Sequence, residues 1–190
     1  VGRVVRASLQ VGQGLPDWRP AQDYRASYSA DPARGGGVVL DLVHELDAAR
    51  WLFGEFSTVR AVGGHFSRLE IASEDSAAIL LGRPGGPAVA IGLDYVSRRP
   101  MRRYEIVGDE ASLCWDLPAH RLDLIGQIGV EAIDCGPAAF DVAATYRAAM
   151  TELLTAVQGG PPCRQDLAEG LRSATLALRV KDAMREPATS

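Results

Sequence analysis

The chain has 190 residues, 47% hydrophobic and 23% charged, with a formal charge of -4, the make-up of one soluble globular domain with a sizeable core. It offers no broad basic field for nucleic acid or an anionic membrane to read, and no apolar run approaches the roughly 18 residues of a membrane-spanning helix. Cys114, Cys135 and Cys163 are widely spaced and odd in number, which argues against a disulfide framework or a paired-cysteine metal site and fits a reducing, cytoplasmic setting.

The chain opens on Val-Gly-Arg-Val-Val-Arg, already inside a strand-like pattern that ends at the Gly12-Gln13-Gly14 breaker. It is read as cut from a longer protein. A loop without clear period follows from Leu15 to Arg34, and its tyrosines and tryptophan argue for burial rather than disorder. Gly35-Gly36-Gly37 then opens an expected helix from Val38 to Phe53, with Val39, Val43, Leu46 and Arg50 on one stripe and Gly54 as its stop.

Strand-like runs follow at Ser57 to Phe66, Ala77 to Leu81, Ala88 to Val96, Arg103 to Val107, Ala111 to Trp115, Arg121 to Ile125 and Val130 to Ile133. Glycine-bearing turns between them suit a largely antiparallel meander. Two helices close the chain, the first carrying Tyr146, Met150, Leu153 and Val157 at helical spacing, the second opened by an Asp166 and Glu169 capping box. The expected class is α+β: an open, mostly antiparallel mixed sheet of six to eight strands with helices on one face. Ile79, Leu81, Val89 and Ile91 are taken to face outward, where a second copy would cover them in a homodimer or homotetramer.

No strand is followed by G-x-G-x-x-G, so the chain carries no dinucleotide fingerprint. The residues that can carry chemistry lie on the Val38 to Phe53 helix, where Asp41, His44 and Asp47 at i, i+3 and i+6 share a polar stripe. A carboxylate one turn from an imidazole can fix its tautomer for general-base work. A solvent-facing histidine with no such role has the same spacing.

The stretch Gly35-Gly36-Gly37-Val38-Val39-Leu40-Asp41-Leu42-Val43-His44-Glu45-Leu46-Asp47 with Arg50-Trp51-Leu52-Phe53-Gly54 resembles the second-domain signature of the glucose-fructose oxidoreductase and inositol dehydrogenase (Gfo/Idh/MocA) family. The segment Arg103 to Gly108 with Ala111 to Asp116 resembles its strand-turn-strand. The resemblance implies a C-terminal domain of dihydrodipicolinate-reductase-like fold that works with a separate N-terminal Rossmann domain, which would hold NAD or NADP and a catalytic lysine. No cofactor is then expected on residues 1–190 alone.

The resemblance further implies a sugar, sugar acid or amino-sugar substrate, with His44 assisting proton transfer and Asp41 orienting it. Many members step four residues from that Asp to that His, whereas the step here is three, so His44 carries over more securely than Asp41. The loop residues Trp18, Arg19, Asp23 and Tyr24 resemble a substrate-binding loop, since aromatic faces suit pyranose rings and Asp and Arg give directional hydrogen bonds. Trp18 and Tyr24 are equally able to pin the loop to the sheet. Arg98, Arg99, Arg102 and Arg103 form the densest positive cluster, open to reading as a solvated strand edge, an anionic-substrate site or an oligomer contact. His65 and His120 lack partners at metal-ligand spacing. Two other readings of the chain stand beside the enzyme half: an assembly module, or a family member with transient-redox or no catalysis.

Overall fold

A computed structural model describes residues 1–185. Among them eight strands form one sheet in the order β2-β3-β4-β1-β5-β6-β7-β8: β1 (Val4–Gly12), β2 (Thr58–Gly64), β3 (Ser76–Gly82), β4 (Ala88–Asp94), β5 (Met101–Gly108), β6 (Ser112–Asp116), β7 (Arg121–Gly126) and β8 (Gly129–Ala132). Every pairing is antiparallel except β1 with β4, where Leu9 sits beside Ile91. The first strand thus enters at the centre of the sheet, and later strands are added on both sides. The expected class, an open mixed sheet with helices on one face, is the one observed.

Period-2 alternation sets the layers. Ala7, Leu9 and Val11 of β1, Ala77, Ile79 and Leu81 of β3, and Val89, Ile91 and Leu93 of β4 are all buried. They lie under the helices α2 (Val38–Asp41), α3 (Val43–Phe53) and α5 (Leu167–Arg185), which contribute Val38, Val39, Leu46, Ala49, Leu176, Ala177 and Val180 to the same core. This corrects the expected orientation. Ile79, Leu81, Val89 and Ile91 face the helices, and the open face instead carries Ala78, Leu80, Ala88, Ala90, Ser8 and Gln10.

The helix expected from Val38 to Phe53 is also corrected, because it breaks at Leu42, whose φ of -103° and ψ of 26° leave the helical region. The break rotates α3 relative to α2. Its buried side carries Glu45, Leu46, Ala49, Arg50 and Phe53, while Val43 is only half-buried. Upstream, the loop contains α1 (Leu15–Trp18) and three single helical turns between Tyr24 and Arg34. Glycine is required where this loop meets α2. A Cβ on Gly36 would lie 2.2 Å from the Tyr28 carbonyl, and one on Gly37, at φ +118°, 2.3 Å from the Glu74 carboxylate. Glu74 is in turn held by Lys181 of α5 at 3.1 Å.

At the C-terminal end, Asp166 accepts the Glu169 N–H at 2.8 Å, as the expected capping box requires. The Glu169 carboxylate turns instead to Arg50 at 2.9 Å. Arg50, almost wholly buried, also meets Glu55 and Ser173 and so ties α3 to α5. The remaining helix, α4 (Val142–Val157), buries none of its residues.

Candidate functional site

The C-terminal end of β1, the start of β5 and the first turn of α3 converge around a cavity of about 220 Å³, lined by Gly12, Gln13, Trp18, His44, Arg102 and Pro118 among others. Two features of the fold bring these residues together. The central position of β1 delivers Gly12 to the sheet edge beside Met101 of β5, and the break at Leu42 aims the first turn of α3 at that edge. His44 is half-exposed, with Nε2 lying 3.2 Å from Glu45 Oε1.

Glu45 is the unexpected member. It has no exposed surface, and a buried carboxyl group is tolerated only with partners. Arg102 Nε lies 2.8 Å from its Oε1, and the Tyr104 hydroxyl donates a short hydrogen bond to Oε2. Burial, followed by the Glu45 charge, pushes the Tyr104 phenol above its ordinary value, so it remains a donor. The Arg102 guanidinium lies over the Tyr104 and Trp115 rings, 5.9 and 5.6 Å from their centroids, and the two rings pack on each other at 4.8 Å.

Asp41, His44 and Asp47 go to three different places. Asp41 accepts the Tyr95 hydroxyl at 2.7 Å, and Tyr95 meets the Trp18 ring edge-on at 5.3 Å. Burial and the Asp41 hydrogen bond hold the Tyr95 phenol protonated well above its ordinary range. Asp47 turns toward α5, accepting from Ser173 on that helix and, at 3.3 Å, from Gln165 just before it. Asp41 therefore supports the floor under Trp18, and the acidic group beside the imidazole is Glu45.

Of the four loop residues, Trp18 alone lines the His44 cavity. Arg19 and Tyr24 share a small adjoining cleft with Trp18, Arg19 stacking over Tyr28 at 5.6 Å and the Tyr24 hydroxyl accepting the Glu70 N–H at 3.4 Å. Asp23 is spent locally, capping its own helical turn and pairing with Arg25 at 2.9 Å. Glu45 was missed as a site residue, though a signal for it existed: at i+3 from Leu42 and i-4 from Ala49 it sits on an apolar stripe. The Arg102 partnership had no such signal, because it joins residues 57 positions apart.

A dinucleotide does not fit this chain's own glycines. A Cβ on Gly12 would lie 2.3 Å from the Asp94 carboxylate, so the Gly12-Gln13-Gly14 turn packs against an anion where a pyrophosphate would need free N–H groups. No group of three or more potential metal ligands occurs among the described residues, and no helix among them is long and apolar enough to cross a membrane. Cys114, Cys135 and Cys163 are free thiols.

An open eight-stranded mixed sheet with its core helices on one face and a cavity at the central strand's end defines an α+β domain. The chain belongs to the GFO/IDH/MocA C-terminal domain family, whose model matches residues 1–114. Similar solved structures include UDP-N-acetylglucosamine 3-dehydrogenase GnnA from Acidithiobacillus ferrooxidans, 23% identical with a TM-score of 0.74 over 96% of this chain and 54% of that one. Levoglucosan dehydrogenase in complex with NADH and levoglucosan is 19% identical, with a TM-score of 0.81 over 97% of this chain and 58% of that one. An oxidoreductase from Agrobacterium radiobacter in complex with NAD+, L-tartaric acid and magnesium is 19% identical, with a TM-score of 0.76 over 97% and 55%. The chain therefore spans little more than half the length of these proteins. No curated protein matches the sequence.

Proposed function

We propose that this chain is the substrate-binding half of an NAD(P)-dependent oxidoreductase acting on a sugar, sugar acid or amino-sugar derivative. The observation that carries the reading is the opening of His44 onto the same cavity as Trp18 and Arg102, at the C-terminal end of the central strand. In the whole enzyme a nicotinamide cofactor, held by a separate N-terminal Rossmann domain, would supply the hydride chemistry. This chain's own residues bind the substrate and move its proton.

In this reading His44 exchanges a proton with the substrate hydroxyl, a task suited to a half-exposed imidazole. Trp18, braced by Tyr95 and through it by Asp41, offers an aromatic face to the ring. Arg19 and Tyr24 extend that wall, and Asp23 shapes the turn that carries them. The open sheet face, with its exposed Leu80, docks on a second copy in a homodimer or homotetramer. The setting is cytoplasmic.

The test is a nicotinamide absorbance assay of the full-length enzyme with NAD and NADP against neutral sugars, uronic acids and amino-sugar derivatives. His44→Ala is expected to lower kcat by roughly 10²-fold, whereas Trp18→Ala acts mainly on KM. An unchanged kcat in His44→Ala would remove the proton-transfer role, and absence of any nicotinamide turnover in the wild type would remove net oxidation or reduction.

A further inference from the structure

The His44 cavity offers a fixed cation and no carboxylate. Its lining includes the Arg102 guanidinium, the Gln13 amide and the His44 imidazole, with no exposed carboxylate. The one acidic group at its wall, Glu45, has no exposed surface and is taken up by Arg102 and Tyr104. A neutral sugar hydroxyl is usually gripped by a side chain that can accept its proton, and a carboxylate does this best. Here that acceptor is sealed behind an arginine.

Arg102 itself is built to meet a ligand. Its Nε lies 2.8 Å from Glu45 Oε1 as an ion pair without hydrogen-bond geometry, Nη2 donates to the Tyr104 hydroxyl at 3.3 Å, and the guanidinium carbon lies over the Tyr104 and Trp115 rings. The conformational entropy of a long side chain is thus spent during folding, before any ligand arrives. Its side chain is still 30% exposed, and Nη1 makes no hydrogen bond among the described residues. Arg98 and Arg99 precede this strand and form no ion pair among the described residues, but they lie outside the cavity lining, so Arg102 is the cation that the cavity itself presents.

Resting on the reading of this cavity as the substrate site, we propose that Arg102 is an oxyanion-recognition residue and that the substrate carries a carboxylate or phosphate beside the hydroxyl presented to His44. Glu45, Tyr104 and Trp115 are positioning residues that hold the fork in place. Charge-assisted contacts to a planar guanidinium are the stronger class of hydrogen bond, and they discriminate by charge as well as by shape.

The test needs no turnover. The 190-residue chain is titrated at fixed low ionic strength with D-glucuronate, D-glucose 1-phosphate, D-glucose and NADH in turn, and the Arg102 Nε–H and His44 side-chain NMR signals are followed. Glucuronate or glucose 1-phosphate is expected to shift both signals saturably, about tenfold more tightly than glucose; which of the two binds tells carboxylate from phosphate. Arg102→Lys is expected to lose about tenfold toward the anion with little change toward glucose. The paired Arg102→Gln and Glu45→Gln variant removes the discrimination while keeping the pair neutral, and a thermal melt verifies its fold. The proposal is overturned if glucose binds as tightly as the anions, if shifts are confined to Arg98 and Arg99, or if neither anion gives a saturable response. Saturation by NADH alone would assign Arg102 to cofactor phosphates and equally overturn it. Any of these failures leaves proton transfer by His44 standing, and an enzyme without nicotinamide turnover would leave the binding result standing.

Discussion

Removing Arg102 should destabilise the domain more than removing Glu45, and removing both should cost least. Glu45 has no exposed surface, so Arg102→Met strands a carboxylate that keeps only the Tyr104 hydroxyl and the neighbouring imidazole. Breaking a buried pair from one side costs about 3–5 kcal/mol, and partial exposure of the arginine places this case near the lower end. For a domain of this size about 3 kcal/mol lowers Tm by roughly 6–12 °C. In Glu45→Met the stranded group is Arg102, whose side chain is already 30% exposed and can turn to water, so about 1–2 kcal/mol is expected. The double Met variant leaves neither charge behind and should lie within about 1 kcal/mol of the wild type. Urea unfolding with matched calorimetry gives all four corners of the cycle. A double variant whose loss equals the sum of the two single losses would show that the groups are not coupled and would refute the account.

Two further perturbations follow from local geometry. Burial alone would raise the Asp75 carboxyl, but N–H bonds from Phe66 and Ser67 at 2.9 Å hold it below its ordinary 3.8. A depressed folded value means that the stabilisation is complete above the unfolded value and drains away as pH falls through the lower folded one. Unfolding free energy should therefore drop between about pH 5 and 2, and drop less steeply in Asp75→Asn; equal slopes would remove Asp75 from the acid response. Gly37→Ala should cost about 2–4 kcal/mol, because its φ is +118° and its Cβ meets Glu74 at 2.3 Å. Gly35→Ala, at φ +81° with nothing within 4 Å, should cost only about 1 kcal/mol. Denaturant midpoints of the two variants compare them directly, and equal losses would mean that the close approach to Glu74 carries no energy.

The strands were legible because each is short, alternating and bounded by turn residues, so their limits fell within a few residues of those observed. Which face looks inward was not legible. Ala77, Ile79 and Leu81 alternate with Ala78 and Leu80, and both sets are apolar enough for either to be the core; only the docking of α3 and α5 decides between them. The break at Leu42 was equally hidden, since Val38 to Phe53 reads as one uninterrupted helical period. The site was half visible. His44 and Trp18 could be named from local pattern and share a cavity, whereas Asp41 was paired with His44 on helical spacing that the break removes. Glu45 with Arg102 is a contact between α3 and β5, and no spacing rule reaches that far.

The open sheet face invites a last quantitative argument. Ala90 lies at its middle, flanked by Leu80 of β3 and Ser8 of β1, on a face where Leu80 and Val62 are exposed apolar side chains that a second copy would cover. If two copies dock there, each burying the roughly 800 Å² of a standard interface, Ala90 lies in the desolvated centre where truncations and insertions have their largest effect. Ala90→Arg would then force a guanidinium out of water without a partner, weakening association by about 100-fold or more. The folded monomer should be little affected, because the side chain points away from the helices. Light scattering across a concentration series should show the wild type as a dimer or tetramer and Ala90→Arg as a monomer with an ordinary thermal transition. A wild type that is monomeric throughout, or a variant with the wild-type mass, would refute docking through this face.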